Sequence, residues 1–358
     1  ETRLRQMAEE AGLDLAGVAL DPVPHSHAAA ARAAELAAQG RVEALMKGSL
    51  HTDELVRAVQ AVAALQTQRR MSHVFRVDVP MYPKPLLLTD CALNIRPGLQ
   101  EKADIVQNAI GLAQVLGIAR PKVAVLAAVE TVHAELPSTL DAAALCQMAR
   151  RGQIKGGLLD GPLAFDNAIS LQAARSKHLE SEVAGDADVL VVPDLESGNL
   201  LANQLEYLAG ATACGVALGA RVPIALTSRA DGVTARVASA VLAKLVAHQH
   251  RRVRPRGAAA RRSGAGVEAL AQRVDQPVDL GLLADEGRRE LDGVAAVAHI
   301  EALLQHVHRD QVGALGRLAR QGLDREACGQ SGVAGVRHVV YAPEAGHRPF
   351  EGRRPGAH

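Results

Sequence analysis

Short apolar runs alternate along this chain with longer stretches whose apolar positions recur at the spacing of one helix face. The longer stretches predict helices over 1–12, 26–39 with Ser26 as N-cap, 52–66, 99–116, 138–150, 168–177, 199–209 and 231–246. The runs predict strands over 14–19, 42–46, 72–79, 86–89, 122–127, 156–160, 189–192 and 224–226, with a short apolar segment at 215–218. DGPLAFDNA from Asp160 reads as a loop. Strands joined through helices of this length need crossovers, so the class is α/β, with mostly parallel sheets covered by helices on both faces.

Several strands end in short polar turns, where open α/β folds place ligands. The strand over 42–46 runs into Lys47, Ser49, His51 and Thr52 just before a helix, whose unpaired amides suit an anion. The same residues read equally as a solvated loop with Thr52 as a cap. Asp90 and Asn94 follow the strand over 86–89, and turn capping is their plain alternative. VPDLESGN ends the strand over 189–192; Gly198 there permits close backbone approach or a positive φ, and Asn199 can donate and accept. TSRAD ends the strand over 224–226, where Ser228 and Arg229 read on local sequence either as phosphate contacts or as helix cap and surface charge, with Asp231 beside them.

Composition narrows the classes. The chain has 358 residues, enough for more than one hydrophobic core, and its apolar content of 48% is carried by Ala, Leu and Val rather than by aromatics at 2%. Cys91, Cys146, Cys214 and Cys328 are scattered without CxxC spacing, which indicates neither a disulfide framework nor a zinc site and suits a reducing cytoplasm. No apolar run approaches membrane-span length, no charged-then-apolar leader precedes a small-residue cleavage site, and residue 1 is Glu rather than Met, so the N-terminus is expected to be cut rather than targeted. A net charge of +1 argues against a nucleic-acid partner. The average hides a shift near 248: no lysine follows Lys244, arginines cluster, and eight of the 14 histidines lie from His248 onward. Neither the arginine run at 251–262, which lacks interleaved aromatics, nor His299, His306 and His308, which lack companion ligands, indicates a site. No metal site is expected. Without GxGxxG after a strand, a nucleotide-dependent dehydrogenase is disfavoured.

Six motifs occur in one order: MKGSLHTDELVRAV from Met46, SHVFRVDVPMYPKPLLLTDCALNI from Ser72, EKADIVQNAI from Glu101, DGPLAFDNA from Asp160, VAGDADVLVVPDLESGN from Val183 and PIALTSRAD from Pro223. Together they resemble the phosphate acetyltransferase and phosphate butyryltransferase family over about residues 1–247, closer to the butyryl-type branch. The resemblance implies a two-domain architecture like that of isopropylmalate dehydrogenases, N-terminally incomplete here, with the site in the interdomain cleft. It divides the chain into 1–67 with 219–247, then 68–218, then a tail over 248–358 expected to be disordered or partly helical.

The implied reaction is acyl-CoA plus phosphate giving acyl phosphate plus CoA, in a cytoplasmic homodimer, with CoA as a substrate and no cofactor. The family's serine–arginine pair falls on Ser228 and Arg229. Its general-base position falls near Ala235 or Arg236, neither a base, which leaves Asp231 as the nearest carboxylate. Lys47, Ser49, His51, Thr52, Asp90, Asn94, Gly198 and Asn199 are the expected substrate contacts. The competing expectation is an inactive remnant that at most binds CoA or phosphate. It draws on family elements missing before Glu1 and on a tail whose composition resembles a GC-rich gene translated out of frame.

Overall fold

The computed structural model describes residues 2–10, 15, 18–48, 50–228, 231–253 and 338–341. The helices are α1 (Thr2–Glu10), α2 (Ser26–Ala38), α3 (Thr52–Gln60), α4 (Leu99–Val115), α5 (Pro137–Arg150), α6 (Phe165–Ile169), α7 (Leu171–Ser176), α8 (Leu195–Tyr207) and α9 (Val233–Val253), and strands β2 to β9 are interspersed with them along the chain. These strands are β2 (Leu45–Met46), β3 (Ser72–Asp78), β4 (Leu86–Thr89), β5 (Lys122–Leu126), β6 (Leu158–Leu163), β7 (Val189–Val191), β8 (Thr212–Leu218) and β9 (Ile224–Ala225). They form one sheet in the order β2-β9-β8-β3-β4-β7-β5-β6.

Four neighbouring pairs in that sheet are parallel and the three central ones, β9 with β8, β8 with β3 and β3 with β4, are antiparallel. The α/β class with mostly parallel pairing therefore holds, and a single sheet passes through both of the expected units. Because three antiparallel steps separate β9 from β4, strands β2 and β9 run opposite to β4, β5 and β7.

Strand alternation builds the cores. On β5, Val123 and Val125 face one cluster with Ile110, Leu145 and Leu242, while Ala124 and Leu126 face another with Leu88 and Leu163. On β7, Val189 and Val191 divide from Leu190 and Val192 in the same way. Period-two projection onto two buried faces is what makes these strands read as continuous apolar runs. A third cluster joins α2 and α3 to β2 and β9 through Ala34, Leu55, Val59, Ile224 and Leu226.

Local chemistry moves several predicted boundaries. His25, not Ser26, caps α2, its Nδ1 accepting from the Ala28 amide at 3.2 Å. The helix expected over 52–66 stops at Gln60, and a 3-10 turn follows at Ala63–Leu65. The supposed DGPLAFDNA loop begins inside β6, where a Cβ on Gly161 would lie 2.8 Å from the Val125 carbonyl, so glycine admits close strand packing. The 168–177 helix is two short helices, α6 and α7, interrupted by Ser170, which caps α7.

Residues 14, 16 and 17 of the strand expected over 14–19 lie outside the described residues, and at the end of that stretch begins β1 (Ala19–Pro22). It pairs in parallel with β10 (His338–Tyr341), which corrects the expectation of disorder or helix for those four tail residues, since ladder hydrogen bonds hold them extended. The expected boundary at 248 falls inside α9, which continues to Val253 with Arg251 paired to Glu43 at 3.0 Å. Arg254 onward apart from β10, including His299, His306 and His308, lies outside the described residues. Among the described residues no helix is long and apolar enough to cross a membrane.

Candidate active site

Two of the polar turns meet side by side because β2 and β9 are parallel neighbours, with Leu45 opposite Ile224 and Met46 opposite Ala225. The Lys47 amide continues the ladder to the Ala225 carbonyl at 3.0 Å. One step further, the Thr227 hydroxyl donates to the Lys47 carbonyl at 3.1 Å. Lys47 itself is buried, and its ammonium donates to the carbonyls of Gly48 at 3.2 Å and Leu50 at 3.1 Å. A buried cation needs such partners, and here they shape the loop that carries it.

His51 is the N-cap of α3 and makes no side-chain cap bond, while Thr52 opens the helix. Asp53 and Glu54 in that first turn already place negative charge at the positive end of the helix, where an anion was expected. Ser49 lies outside the described residues.

After β9, Ser228 is exposed and Asp231 half-buried. The Ser228 amide donates to Asp231 Oδ2 at 2.8 Å, and the Asp231 amide returns to the Ser228 carbonyl at 3.3 Å. A hydroxyl and a carboxylate are thereby held on one tight turn at a strand end. Arg229 lies outside the described residues.

Asp90 and Asn94 build a second group. The Asp90 carboxylate, 3% exposed, accepts from the amides of His73, Ala92 and Leu93 at 3.2, 2.9 and 3.0 Å and from Asn94 Nδ2 at 2.6 Å. Asn94 Nδ2 also donates to the Met71 carbonyl at 2.8 Å, and its Oδ1 accepts from Arg70 Nε at 2.7 Å. Their polar atoms thus hold the turn after β4, whose Thr89–Asp90 peptide is cis. His73, missed in the sequence, lies fully buried beside them, and burial lowers its pKa to about 4 despite the opposing pull of the Asp90 charge.

Gly198 belongs to the first turn of α8, not to a loop, because Asp194 caps that helix by accepting from the Ser197 amide at 2.8 Å. A Cβ on Gly198 would meet Val192 Cγ2 at 2.7 Å, the Asp90 carbonyl at 2.9 Å and Cys91 Sγ at 3.0 Å. Close approach is therefore the reason for glycine. Asn199 is exposed, and its carbonyl and Oδ1 accept from Asn203 Nδ2 at 2.8 and 3.1 Å.

Strand direction sets the two groups, Lys47 with Thr227 and Ser228, and Asp90 with Gly198, at opposite ends of the strand axis. Helix α8 relates them: its first turn packs on Asp90, and its 13 residues span about 20 Å. Towards its far end the Glu206 carboxyl is pushed up, first by partial burial and then by the negative charge of Asp231. The signal for this placement was the Asp-x-x-Ser cap at Asp194, which starts α8 early enough to reach Asp90. Among the described residues no group of three or more His, Cys, Asp or Glu side chains is placed to hold a metal ion.

Residues 23–244 match the sequence profile described as phosphate acetyl/butaryl transferase, and the match ends just before the compositional shift. A phosphate acetyltransferase of Rhizobium meliloti is 58% identical over 252 residues, covering 70% of this chain and 80% of that one. A phosphate butyryltransferase of Clostridium acetobutylicum is 41% identical over 242 residues, covering 67% and 80%. Of these two, the acetyl-type relative has the higher identity, so the leaning to the butyryl branch gains no support. Among solved structures, a branched-chain phosphotransacylase from Enterococcus faecalis superposes with a TM-score of 0.57 at 34% identity, covering 62% of this chain and 80% of that one.

Proposed function

This chain belongs to the phosphate acetyl/butaryl transferase family, and from that premise we propose that it exchanges a short acyl group between CoA and phosphate around the Ser228 turn. In the direction of acyl-CoA synthesis, the CoA thiol attacks the acyl carbonyl of an acyl phosphate. A carbon–sulfur bond forms, the bond from carbonyl carbon to phosphate oxygen breaks, and the thiol proton passes to a base while phosphate departs with the electron pair. A free thiol, with a pKa of about 8.5, is only a few per cent thiolate at neutral pH, so the base matters.

Asp231 is the carboxylate assigned to that proton. Its Oδ2 accepts from the Ser228 amide, which fixes the carboxylate at the turn. Ser228 donates its hydroxyl to the phosphate or to the developing oxyanion, and Arg229, next in the chain, supplies a planar fork that matches phosphate oxygens. His51, Thr52 and Ser49 are the loop contacts assigned to phosphate, with Lys47 organising the loop they sit on. Asp90, Asn94, Gly198 and Asn199 belong to the CoA side, where Asp90 and Asn94 hold the turn and α8 forms the wall. The assembly proposed is a cytoplasmic homodimer, with the domain division between β8 and β9.

The observation that carries this reading is the Thr227 to Lys47 bond, which joins the phosphate loop and the Ser228 turn into one surface. Supplying acetyl phosphate or butyryl phosphate with CoA and following loss of free thiol tests it. Thiol loss dependent on both substrates is the expected result; no loss with either acyl phosphate would sink the reading. Sedimentation of the purified protein tests the dimer.

A further inference from the structure

Arg236 stands in the first turn of α9, directly after the Ser228–Asp231 turn. Its Nε donates to the Asp231 carbonyl at 3.0 Å and its Nη2 to the Ser228 carbonyl at 3.4 Å. The same residue's amide donates to the Gly232 carbonyl at 3.2 Å, tying helix and turn together. The turn is closed from inside by the Ser228 amide on Asp231 Oδ2 and the Asp231 amide on the Ser228 carbonyl. One guanidinium therefore donates to the carbonyls at both ends of the turn, supplying a partner to the Asp231 carbonyl and adding a second one to the Ser228 carbonyl.

The position is electrostatically unhelpful to the helix. A cation in a first turn opposes the positive end of the dipole, and this turn of α9 contains no acidic residue to offset it. What offsets that cost is the pair of bonds from its guanidinium to the turn that precedes the helix. A half-buried cation held in charge-assisted bonds to the turn's own carbonyls also adds positive charge beside the exposed Ser228 hydroxyl.

We propose that Arg236 is a positioning residue for the phosphate side of the reaction. It clamps the carbonyls of Ser228 and Asp231, so that the Ser228 hydroxyl is presented on a rigid frame to the acyl phosphate. The inference rests on the proposed function.

The test compares the full chain with Arg236→Ala and Arg236→Lys. Steady-state rates give KM for acetyl phosphate and for CoA separately, and amide hydrogen exchange is read at Ser228 and Asp231 as a measure independent of turnover. In Arg236→Ala the KM for acetyl phosphate rises on the order of tenfold, the KM for CoA stays, and both amides exchange faster, while circular dichroism shows α9 intact. Arg236→Lys, with one donor group in place of the fork, recovers part of each effect. Unchanged exchange at both amides overturns the clamp, as does an equal rise in both KM values. If the wild-type chain turns over neither acyl phosphate but exchange still quickens in Arg236→Ala, the acyl-transfer reading fails and the clamp stands.

Discussion

The Thr227 hydroxyl reaches the carbonyl of Lys47 across 180 positions of sequence, and through that bond the two strand-end turns of β2 and β9 share one surface. Thr227 is 2% exposed, so Thr227→Val keeps the shape while removing a buried hydrogen bond to the Lys47 carbonyl. The expected loss of stability is about 1–3 kcal/mol, with a fall in kcat/KM beyond what Thr227→Ser shows. Urea unfolding and the thiol assay read both; equal behaviour of the two variants would detach the bond from the site.

Arg229→Ala is expected to lower kcat/KM by roughly two orders of magnitude or more, the scale for removing one group that stabilises charge developing in a transition state. The loss should exceed that in Arg229→Lys, which keeps the charge without the fork. A rate equal to wild type removes Arg229 from the chemistry.

Gly198→Ala places a methyl within 3.0 Å of Val192, the Asp90 carbonyl and Cys91. Overpacking of this kind costs about 1–3 kcal/mol, and α8 must lift from the Asp90 turn to relieve it. The midpoint of urea unfolding should fall, and CoA affinity should fall with it. A neutral substitution would show that α8 is free to shift there.

His73 binds its proton only near pH 4 in the folded chain, against an ordinary 6.5, because burial disfavours the charged ring. Between these values the unfolded state holds a proton that the folded state lacks, so stability rises with pH through this window. The contribution is fully present above about 6.5 and is lost on acidification towards 4, by at most about 3 kcal/mol. The slope of unfolding free energy against pH should flatten over that window in His73→Gln, and an unchanged slope would assign the titration elsewhere.

Cys91, Cys146 and Cys214 are free and buried. Burial raises all three thiols, Cys146 and Cys214 to about 12 and Cys91 well above its usual value, so little thiolate exists at neutral pH. Peptide mapping after brief alkylation of the native protein should find these three unmodified, and after unfolding should find them labelled. Fast native labelling of any of them would contradict its packing.

Much of the architecture lies open in local pattern. The double-sided apolar runs of β5 and β7 announce strands buried on two faces, and the periodic stretch at α9 announces its helix, because period-two and helical projections are properties of neighbouring residues alone. The turns were legible for the same reason: a strand followed by Ser, Asp or Gly has few backbone options. Asp90 and Asn94 show the limit. Their residue types suit a ligand, yet Asp90 meets amides from β3 and from its own turn, and Asn94 meets Arg70 and Met71, partners no local window contains.

Sequence by itself determined the α/β class, the order of elements, the family and the candidate turns, since each depends on spacing within short segments or on motifs in a row. Tertiary structure alone decided which turns share a surface. Three antiparallel steps reverse β9 and β2 against β4 and β7, so Lys47 joins Ser228 while Asp90 joins Gly198 at the other strand end. Helix α8 bridges the two because its cap at Asp194 lengthens it backwards. Pairing direction is set by hydrogen bonds between distant strands, and nothing in the residues of either strand encodes which neighbour it meets.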